Sequence, residues 1–216
     1  MNREDDRRVA LRLAPVSHET LRRLDAYVAL LGKWRKTINL LSESSFQEVW
    51  TRHIADCAQL LALAPEARVW VDMGAGAGFP GLVIAMQLAE QPGAHVHLIE
   101  SDQRKCAFLR EAARETGAPA VIHNARIEDA APQIADIVDA VTARALAPLP
   151  RLVAFAKIWL DNQAVGVFPQ GKASKFDRSD LGNFDIEFSK SRTDPASHIA
   201  LIRPRSGAAA ADAAEP

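Results

Sequence analysis

The stretch VDMGAGAGFPGLVIAMQ, residues Val71–Gln87, decides the fold because it places four glycines within eight residues, between two apolar runs. The residues before the glycines predict a strand. The apolar segment after them predicts a helix with Pro80 in its first turn, where a missing N–H does no harm. Glycines in such a turn let the backbone approach a ligand closely, and the helix N-terminus offers free N–H groups. The stretch therefore predicts a turn that binds a nucleotide-like ligand.

The four glycines fit two motifs that imply different ligands. In the first register Gly74, Gly76 and Gly78 form GxGxG, with Asp72 two residues before the first glycine. In the second register Gly76, Gly78 and Gly81 form GxGxxG, which is the dinucleotide fingerprint. A turn without any ligand is a third interpretation, but four glycines destabilise a turn that needs only one or two.

Asp72 and Pro80 favour the first register. The second register would leave Asp72 buried and place Pro80 where a pyrophosphate needs an N–H group. In the first register the Asp72 carboxylate lies at the end of the strand, where it can accept loop N–H groups or face the cationic end of a ligand. That arrangement suits S-adenosylmethionine, which carries an ammonium and a sulfonium group. The alternative is an NAD(P)-dependent oxidoreductase, although the one tyrosine, Tyr27, lies far from this turn in sequence.

The rest of the chain alternates strands with helices after Pro65, which predicts an α/β fold with a mostly parallel sheet. We expect strands near 68–74, 95–101, 120–126, 137–146 and 164–170, with helices at 80–90, 102–117 and 148–160. Two consecutive strands, near 183–191 and 198–204, predict a C-terminal hairpin with an antiparallel member.

The residues before Pro65 have helical periodicity. We expect one helix over 18–41, with Ser17 as its N-cap, and a second over 45–65. The predicted organisation is therefore an N-terminal helical extension (1–65), a ligand-binding domain (66–205) and a disordered Ala-rich tail (206–216).

Composition excludes several classes of protein. The chain has 216 residues, of which 48% are hydrophobic and 25% charged, so it belongs among ordinary globular proteins. The net charge of −1 gives no overall basic excess, so any binding of nucleic acid must rest on local patches. Two distant cysteines predict neither a metal site nor a disulfide framework. Without a signal peptide or a membrane span, we expect a cytoplasmic location.

Residues at the ends of three further strands lie where a parallel sheet binds ligands, at or beyond the carboxyl ends of its strands. Glu100 ends the second strand, 24 residues after Gly76, where an acidic residue reaches ribose hydroxyls. After the third strand, Ile127 could cover an adenine, and Glu128 or Asp129 could accept its amine. Arg144 lies at the carboxyl end of the fourth strand.

Together these motifs resemble the bacterial 16S rRNA guanine-N7 methyltransferases of the RsmG/GidB type. The resemblance covers about residues 20 to 205 and is carried by these segments: LLGKWRKTINLL, EVWTRHIADCAQL, VDMGAGAGFPGLVIA, LIESDQRKCAFLREAARE, NARIED, TARALAPLPRLV and FPQGK. It implies a class I S-adenosylmethionine-dependent methyltransferase domain (Rossmann-like) with an N-terminal helical extension.

The resemblance also implies roles for individual residues. Gly74 and Phe79 would line the methionine side of the cofactor, Ile127 and Glu128 would flank the adenine, and Arg144 would contact the cofactor or the target base as the catalytic residue. The partner would be 16S rRNA or the small ribosomal subunit, methylated at guanine N7 in the decoding region. We expect a monomer without membrane contact.

Two groups of residues carry further predictions. Lys172 and Lys175 follow the fifth predicted strand, on the ligand side, and are the expected RNA contacts. The family often has Lys-Gly-Lys there, whereas this chain has Gln170 before Gly171 and Lys172. His53 lies on an apolar helix face, which is typical of a core histidine. The alternative is that it acts with Arg52 and Asp56 to fix the extension onto the domain or to contact RNA.

Overall fold

A computed structural model describes residues 2–171 and 181–205 of the chain. Its centre is a seven-stranded sheet in the order β3-β2-β1-β4-β5-β7-β6. The strands are β1 (Val69–Met73), β2 (His95–Glu100), β3 (Ala120–Asn124), β4 (Ala140–Thr142), β5 (Val165–Gln170), β6 (Phe184–Lys190) and β7 (His198–Pro204). The first five are parallel, and β7 is antiparallel to both of its neighbours. The predicted fold class, a mostly parallel sheet with a C-terminal antiparallel strand, is confirmed.

The helices between the strands are α5 (Gly81–Leu88), α6 (Gln103–Thr116), the short α7 (Ile127–Ala130) and α8 (Leu149–Asp161). Three of them begin and end close to their predicted bounds, whereas the short α7 replaces part of an expected loop. The carboxylate of Asp102 caps α6 by accepting the N–H groups of Arg104 and Lys105. Gly117 ends α6 in the left-handed conformation, with φ of 61°. Strand β4 is shorter than predicted, because the chain leaves the sheet after Thr142.

The N-terminal part contains α1 (Arg3–Leu13) and α2 (His18–Trp34). The Ser17 hydroxyl accepts the Thr20 N–H, so Ser17 is the N-cap of α2 as predicted. The helix ends at Trp34 rather than at residue 41, which corrects that boundary. Helix α1 did not emerge from the hydrophobic pattern, although Asn2 at its N-cap and three acidic residues in its first turn are typical start signals.

The expected helix over 45–65 is wrong as a single element. The chain instead forms α3 (Glu43–Gln47), a π-helix (Trp50–Ala55), α4 (Asp56–Ala58) and a 3₁₀ helix (Gln59–Leu63). The break before Trp50 has a distant cause. The buried carboxylate of Asp6 in α1 accepts the N–H groups of Trp50 and Thr51, at 2.8 and 3.2 Å, and the Thr51 hydroxyl.

Two hydrophobic clusters cover the two faces of the sheet. The N-terminal helices, α5 and α6 pack on the face that bears Trp70, Val96 and Leu98. Helix α8 and the segment around α7 pack on the face that bears Val71 and Ile99. The N-terminal helices thus share one cluster with the sheet. The domain limits at 65 and 205 stay predictions, and the predicted disordered tail lies outside the described residues. Within the described part of the chain, no helix has the length and apolar character to cross a membrane.

Candidate functional site

The glycine turn between β1 and α5 is a loop of left-handed residues. Gly74, Gly76 and Gly78 have φ of 70°, 55° and 92°, a region that side chains disfavour. The Gly76 N–H donates to Glu100 Oε2 at 2.9 Å, while Glu100 Oε1 accepts the Asp102 N–H at 2.8 Å. One carboxylate therefore joins the loop to the start of α6.

Asp72 lies behind this loop and is fully buried. Its Oδ2 accepts the Gly81 N–H at 2.8 Å, which holds the first residue of α5. Its Oδ1 has no hydrogen-bond partner among the described residues. Burial raises the pKa of Asp72 to about 7, with the Gly81 N–H opposing the rise and the Glu100 charge adding to it. As expected, the carboxylate accepts an N–H group at the loop. Because Asp72 is nevertheless buried, its burial does not distinguish the GxGxG register from the GxGxxG register.

A cavity of about 500 Å³ opens beside the loop at the carboxyl ends of β1, β2 and β3; we name it the loop cavity. Six predicted site residues line it: Gly74, Gly76, Glu100, Ile127, Glu128 and Arg144. The structure thus brings together the glycine turn and the ends of three other strands. The residues that the sequence reasoning did not assign include Ser101, Lys105, Arg126 and Phe155. Lys105 and Arg126 could have been noticed as cations next to predicted strand ends.

Asp72, Gly78 and Phe79 are predicted site residues outside the loop cavity lining. A Cβ on Gly78 would lie 2.6 Å from Leu82 Cδ1, so this glycine is required by the packing of α5. The ring of Phe79 is buried against the N-terminal helices. It stacks on His53 with ring centroids 4.9 Å apart and meets Tyr27 edge-on at 5.5 Å. The Tyr27 hydroxyl donates to the Ala77 carbonyl of the same loop.

Arg144, just after β4, is held by the segment that contains the π-helix. Its Nη1 donates to His53 Nδ1 at 2.6 Å, and its Nη2 donates to the Arg52 carbonyl at 2.9 Å. Its Nε lies 3.5 Å from Asp56 Oδ2. Asp56 Oδ1 in turn accepts the Thr193 hydroxyl, at 2.8 Å, from the β6–β7 connection. These contacts join the extension, β4 and the C-terminal hairpin, as the alternative interpretation of His53 proposed.

His53 is a neutral acceptor in this arrangement. A guanidinium group has only donors, so Nδ1 of His53 must carry the lone pair and Nε2 the proton. Burial, followed by the charges of Arg144 and Arg52, lowers the pKa of His53 to about 3. The imidazole therefore stays neutral at physiological pH.

A second cavity of about 670 Å³ lies on the other side of Arg144, between the π-helix, the end of β5 and the β6–β7 connection; we name it the hairpin cavity. Polar groups of Thr51, Asp56, Gln170 and Ser191 line it. Arg144, Ala145 and Ala147 line both cavities. Ala145 has φ of 55°, a conformation that alanine rarely adopts and that functional sites often hold. Lys172 and Lys175, the predicted RNA contacts, lie outside the described residues.

The fold and the loop cavity define a class I S-adenosylmethionine-dependent methyltransferase. Solved structures of similar fold include cofactor-bound Rv0187 from MTB, with a TM-score of 0.59 and 17% identity over 86% of this chain and 91% of that one. Another is a mutant of MtNAS in complex with S-adenosylmethionine, with a TM-score of 0.57 and 12% identity over 85% of this chain and 75% of that one. At these identities the likeness shows the fold.

The chain belongs to the GidB family, rRNA small subunit methyltransferase G, whose match covers residues 20–196. A relative in Parvibaculum lavamentivorans, named ribosomal RNA small subunit methyltransferase G, is 52% identical over 196 residues, or 88% of this chain and 86% of the relative. A protein of the same name in Methylorubrum populi is 47% identical over 190 residues, or 87% of this chain and 90% of the relative. The resemblance predicted from the motifs is confirmed, and membership favours it over the oxidoreductase alternative.

Proposed function

We propose that this protein transfers a methyl group from S-adenosylmethionine to N7 of a guanine in the decoding region of bacterial 16S rRNA. The observation that carries the proposal is the pair of cavities that meet at Arg144, Ala145 and Ala147. One cavity fits the cofactor and the other fits the target base, with a shared wall where the two reactants approach each other.

The loop cavity suits an adenosine cofactor on several observations. A Cβ on Gly76 would meet nothing nearer than the Gly74 carbonyl, at 3.8 Å, so the loop is open toward the cavity. The Glu100 carboxylate is in reach of ribose hydroxyls, while Ile127 and Glu128 lie beside the adenine position. Gly74 borders the methionine end. The proposed role of Gly78, Phe79 and Asp72 is indirect. The first two fix the shape of the loop, and Asp72 places a carboxylate behind it.

The bound cofactor supplies an electrophilic methyl group on a sulfonium centre. Guanine N7 has a lone pair and no proton, so its bond to the methyl carbon forms as the carbon–sulfur bond breaks and the positive charge passes to the base. This displacement needs no general base. Catalysis then rests on holding the two reactants in line, which is worth on the order of 7–11 kcal/mol. We assign that positioning to Arg144, which borders both cavities and can donate to guanine O6.

The proposed substrate is the small ribosomal subunit or its 16S rRNA, and the proposed state of the protein is a cytoplasmic monomer. Lys172 and Lys175 stay proposed phosphate contacts, because they directly follow β5 in sequence. The exposed Arg52 side chain, which lines the hairpin cavity, is proposed to contact the RNA around the target base.

The experiment supplies methyl-labelled S-adenosylmethionine to small subunits that lack the modification. We expect label in 16S rRNA as 7-methylguanosine. Arg144→Ala should lower the rate of transfer by about 100-fold or more, as loss of a positioned donor does in other enzymes. Arg114→Ala, which removes an arginine on the exposed end of α6, is the control and should transfer at the wild-type rate. Label on protein, or at another atom of the RNA, would reject the proposal.

A further inference from the structure

The contacts that hold the Arg144 guanidinium group come from the segment that contains the π-helix, and His53 makes the shortest of them. Nη1 lies 2.6 Å from His53 Nδ1, compared with 2.9 Å from Nη2 to the Arg52 carbonyl. The Arg52 contact uses a backbone atom, so it survives any side-chain change at position 52. The Nε contact to Asp56 is longer, at 3.5 Å. His53 therefore makes a shorter side-chain contact with Arg144 than Asp56 does.

His53 is itself held in place by the glycine loop. Its ring stacks on Phe79 at an interplanar angle of 24°, and Phe79 lies between Gly78 and α5. Its Nε2 lies 3.4 Å from the Ser45 hydroxyl. His53 as a residue is only 7% exposed, so little water can compete for Nδ1. The imidazole thus links the cofactor loop to the arginine that separates the two cavities.

We infer that His53 is a positioning residue for methyl transfer, which acts through its neutral Nδ1 by holding Arg144 at the shared wall of the loop and hairpin cavities. The inference rests on the function proposed above and deepens it. His53 itself lines neither cavity, and its direct contact with a residue that lines both is the one with Arg144. A ring at this position without an acceptor would remove the partner of Nη1 and leave the contacts with the Arg52 carbonyl and Asp56 to orient the guanidinium group.

Two substitutions separate the acceptor from the packing. His53→Phe keeps an aromatic ring against Phe79 but has no acceptor. His53→Asn loses the ring but places an amide oxygen near the position of Nδ1. We expect His53→Phe to lower kcat for transfer to small subunits by about tenfold or more, and His53→Asn to recover most of that loss. The dissociation constant for S-adenosylmethionine should change little in both, and kcat is compared at a temperature at which both variants are folded. His95→Phe is the control. It makes the same change at the first residue of β2, at the end of the strand away from Glu100, and should have no effect on kcat.

The decisive measurement is a double-mutant cycle with Arg144→Ala. If His53 acts through Arg144, then His53→Phe should cause no further loss of kcat once Arg144 is alanine. Independent losses that multiply would overturn the inference. So would wild-type kcat in His53→Phe, or a loss that tracks a lowered Tm and is not recovered by asparagine.

A measurement that does not depend on enzyme activity distinguishes a failure of this inference from a failure of the proposed function. Nitrogen-15 shifts of the His53 ring in the full chain should show an unprotonated Nδ1 and a protonated Nε2 at neutral pH. If wild-type protein leaves the rRNA unlabelled while the ring has this tautomer, the proposed function fails and the geometry stands. A protonated Nδ1 would overturn the inference whatever the enzyme does, because Arg144 could not then donate to it.

Discussion

Asp72 combines a buried charge with a structural hydrogen bond. One of its oxygens holds the first N–H of α5, and the other lacks a partner among the described residues. A buried carboxylate in which one oxygen has no hydrogen-bond partner destabilises a fold unless a nearby cation or a bound proton compensates its charge. S-adenosylmethionine carries two positive groups, so a site tuned for its binding is expected to be less stable without it.

The stability of the free protein should therefore depend on pH through Asp72. Its pKa is about 7 in the fold and near 3.9 in the unfolded chain. Between these values the folded state holds a proton that the unfolded state has released, so the contribution of this group to stability falls as pH rises toward and past 7. Asp72→Asn removes this dependence and should raise Tm relative to wild type by a margin that grows from pH 5 to pH 8.

Thermal unfolding at pH 5, 6, 7 and 8 measures this margin. Asp102→Asn is the matched control, because hydrogen bonds from the Lys105 and Arg104 N–H groups lower the pKa of that carboxyl. Its titration lies below the tested range, so its effect on Tm should be the same at all four pH values. A constant margin for Asp72→Asn would show that Asp72 does not titrate in this window.

At the scale of elements, the glycine loop and the helices next to it were predictable from local sequence. The positions of Gly74, Gly76 and Gly117 specify left-handed backbone, and the structure has it at each. The break in the helix over 45–65 was not predictable, because its cause, Asp6, is more than 40 residues away. The site follows the same division. The position of Glu100 and Ile127 beside the loop cavity was predictable from strand ends, whereas the contacts of Arg144 with His53 and Asp56 depend on how distant elements pack.

Alanine substitutions at two glycines distinguish the effect of backbone strain from the effect on cofactor binding. Gly76 and Gly93 both have positive φ, at 55° and 76°, and an added Cβ has no neighbour closer than 3.8 Å at Gly76 and none within 4 Å at Gly93. Alanine should therefore strain both backbones by about 1–2 kcal/mol and lower Tm similarly. Only Gly76 lines the loop cavity. Calorimetry should show weaker binding of S-adenosylmethionine by Gly76→Ala and wild-type binding by Gly93→Ala. Equal affinities would remove Gly76 from the site.

At the scale of the whole molecule, the reactive region depends on a helix outside the matched family region. The match begins at residue 20, whereas α1 spans Arg3–Leu13. Asp6 in α1 is fully buried, and it holds the start of the π-helix that carries Arg52 and His53. The first turn of α1 is thus connected to Arg144 by two contacts: Asp6 holds the π-helix, and His53 of the π-helix holds Arg144.

Asp6→Ala should therefore impair both stability and transfer. Removing the carboxylate leaves the buried Trp50 N–H without its acceptor, at a cost of about 1–3 kcal/mol. The rate of methyl transfer should fall more than the affinity for S-adenosylmethionine, because the displaced π-helix lines the hairpin cavity. Asp5→Ala, which removes an exposed neighbour paired with Arg8, is the control and should change stability by less than about 0.5 kcal/mol. Urea unfolding and transfer rates, measured for both variants, test this prediction. Equal effects of the two substitutions would show that α1 does not influence the site through Asp6.

The wall that Arg144, Ala145 and Ala147 form between the two cavities has a consequence for inhibitor chemistry. A molecule that joins an adenosine-like part to a purine through a short linker could occupy both cavities at once. Joining the parts makes the second contact intramolecular, so such a compound should bind more tightly than either fragment. Its linker would have to pass Arg144, which makes the orientation of that guanidinium group the feature to match in its design.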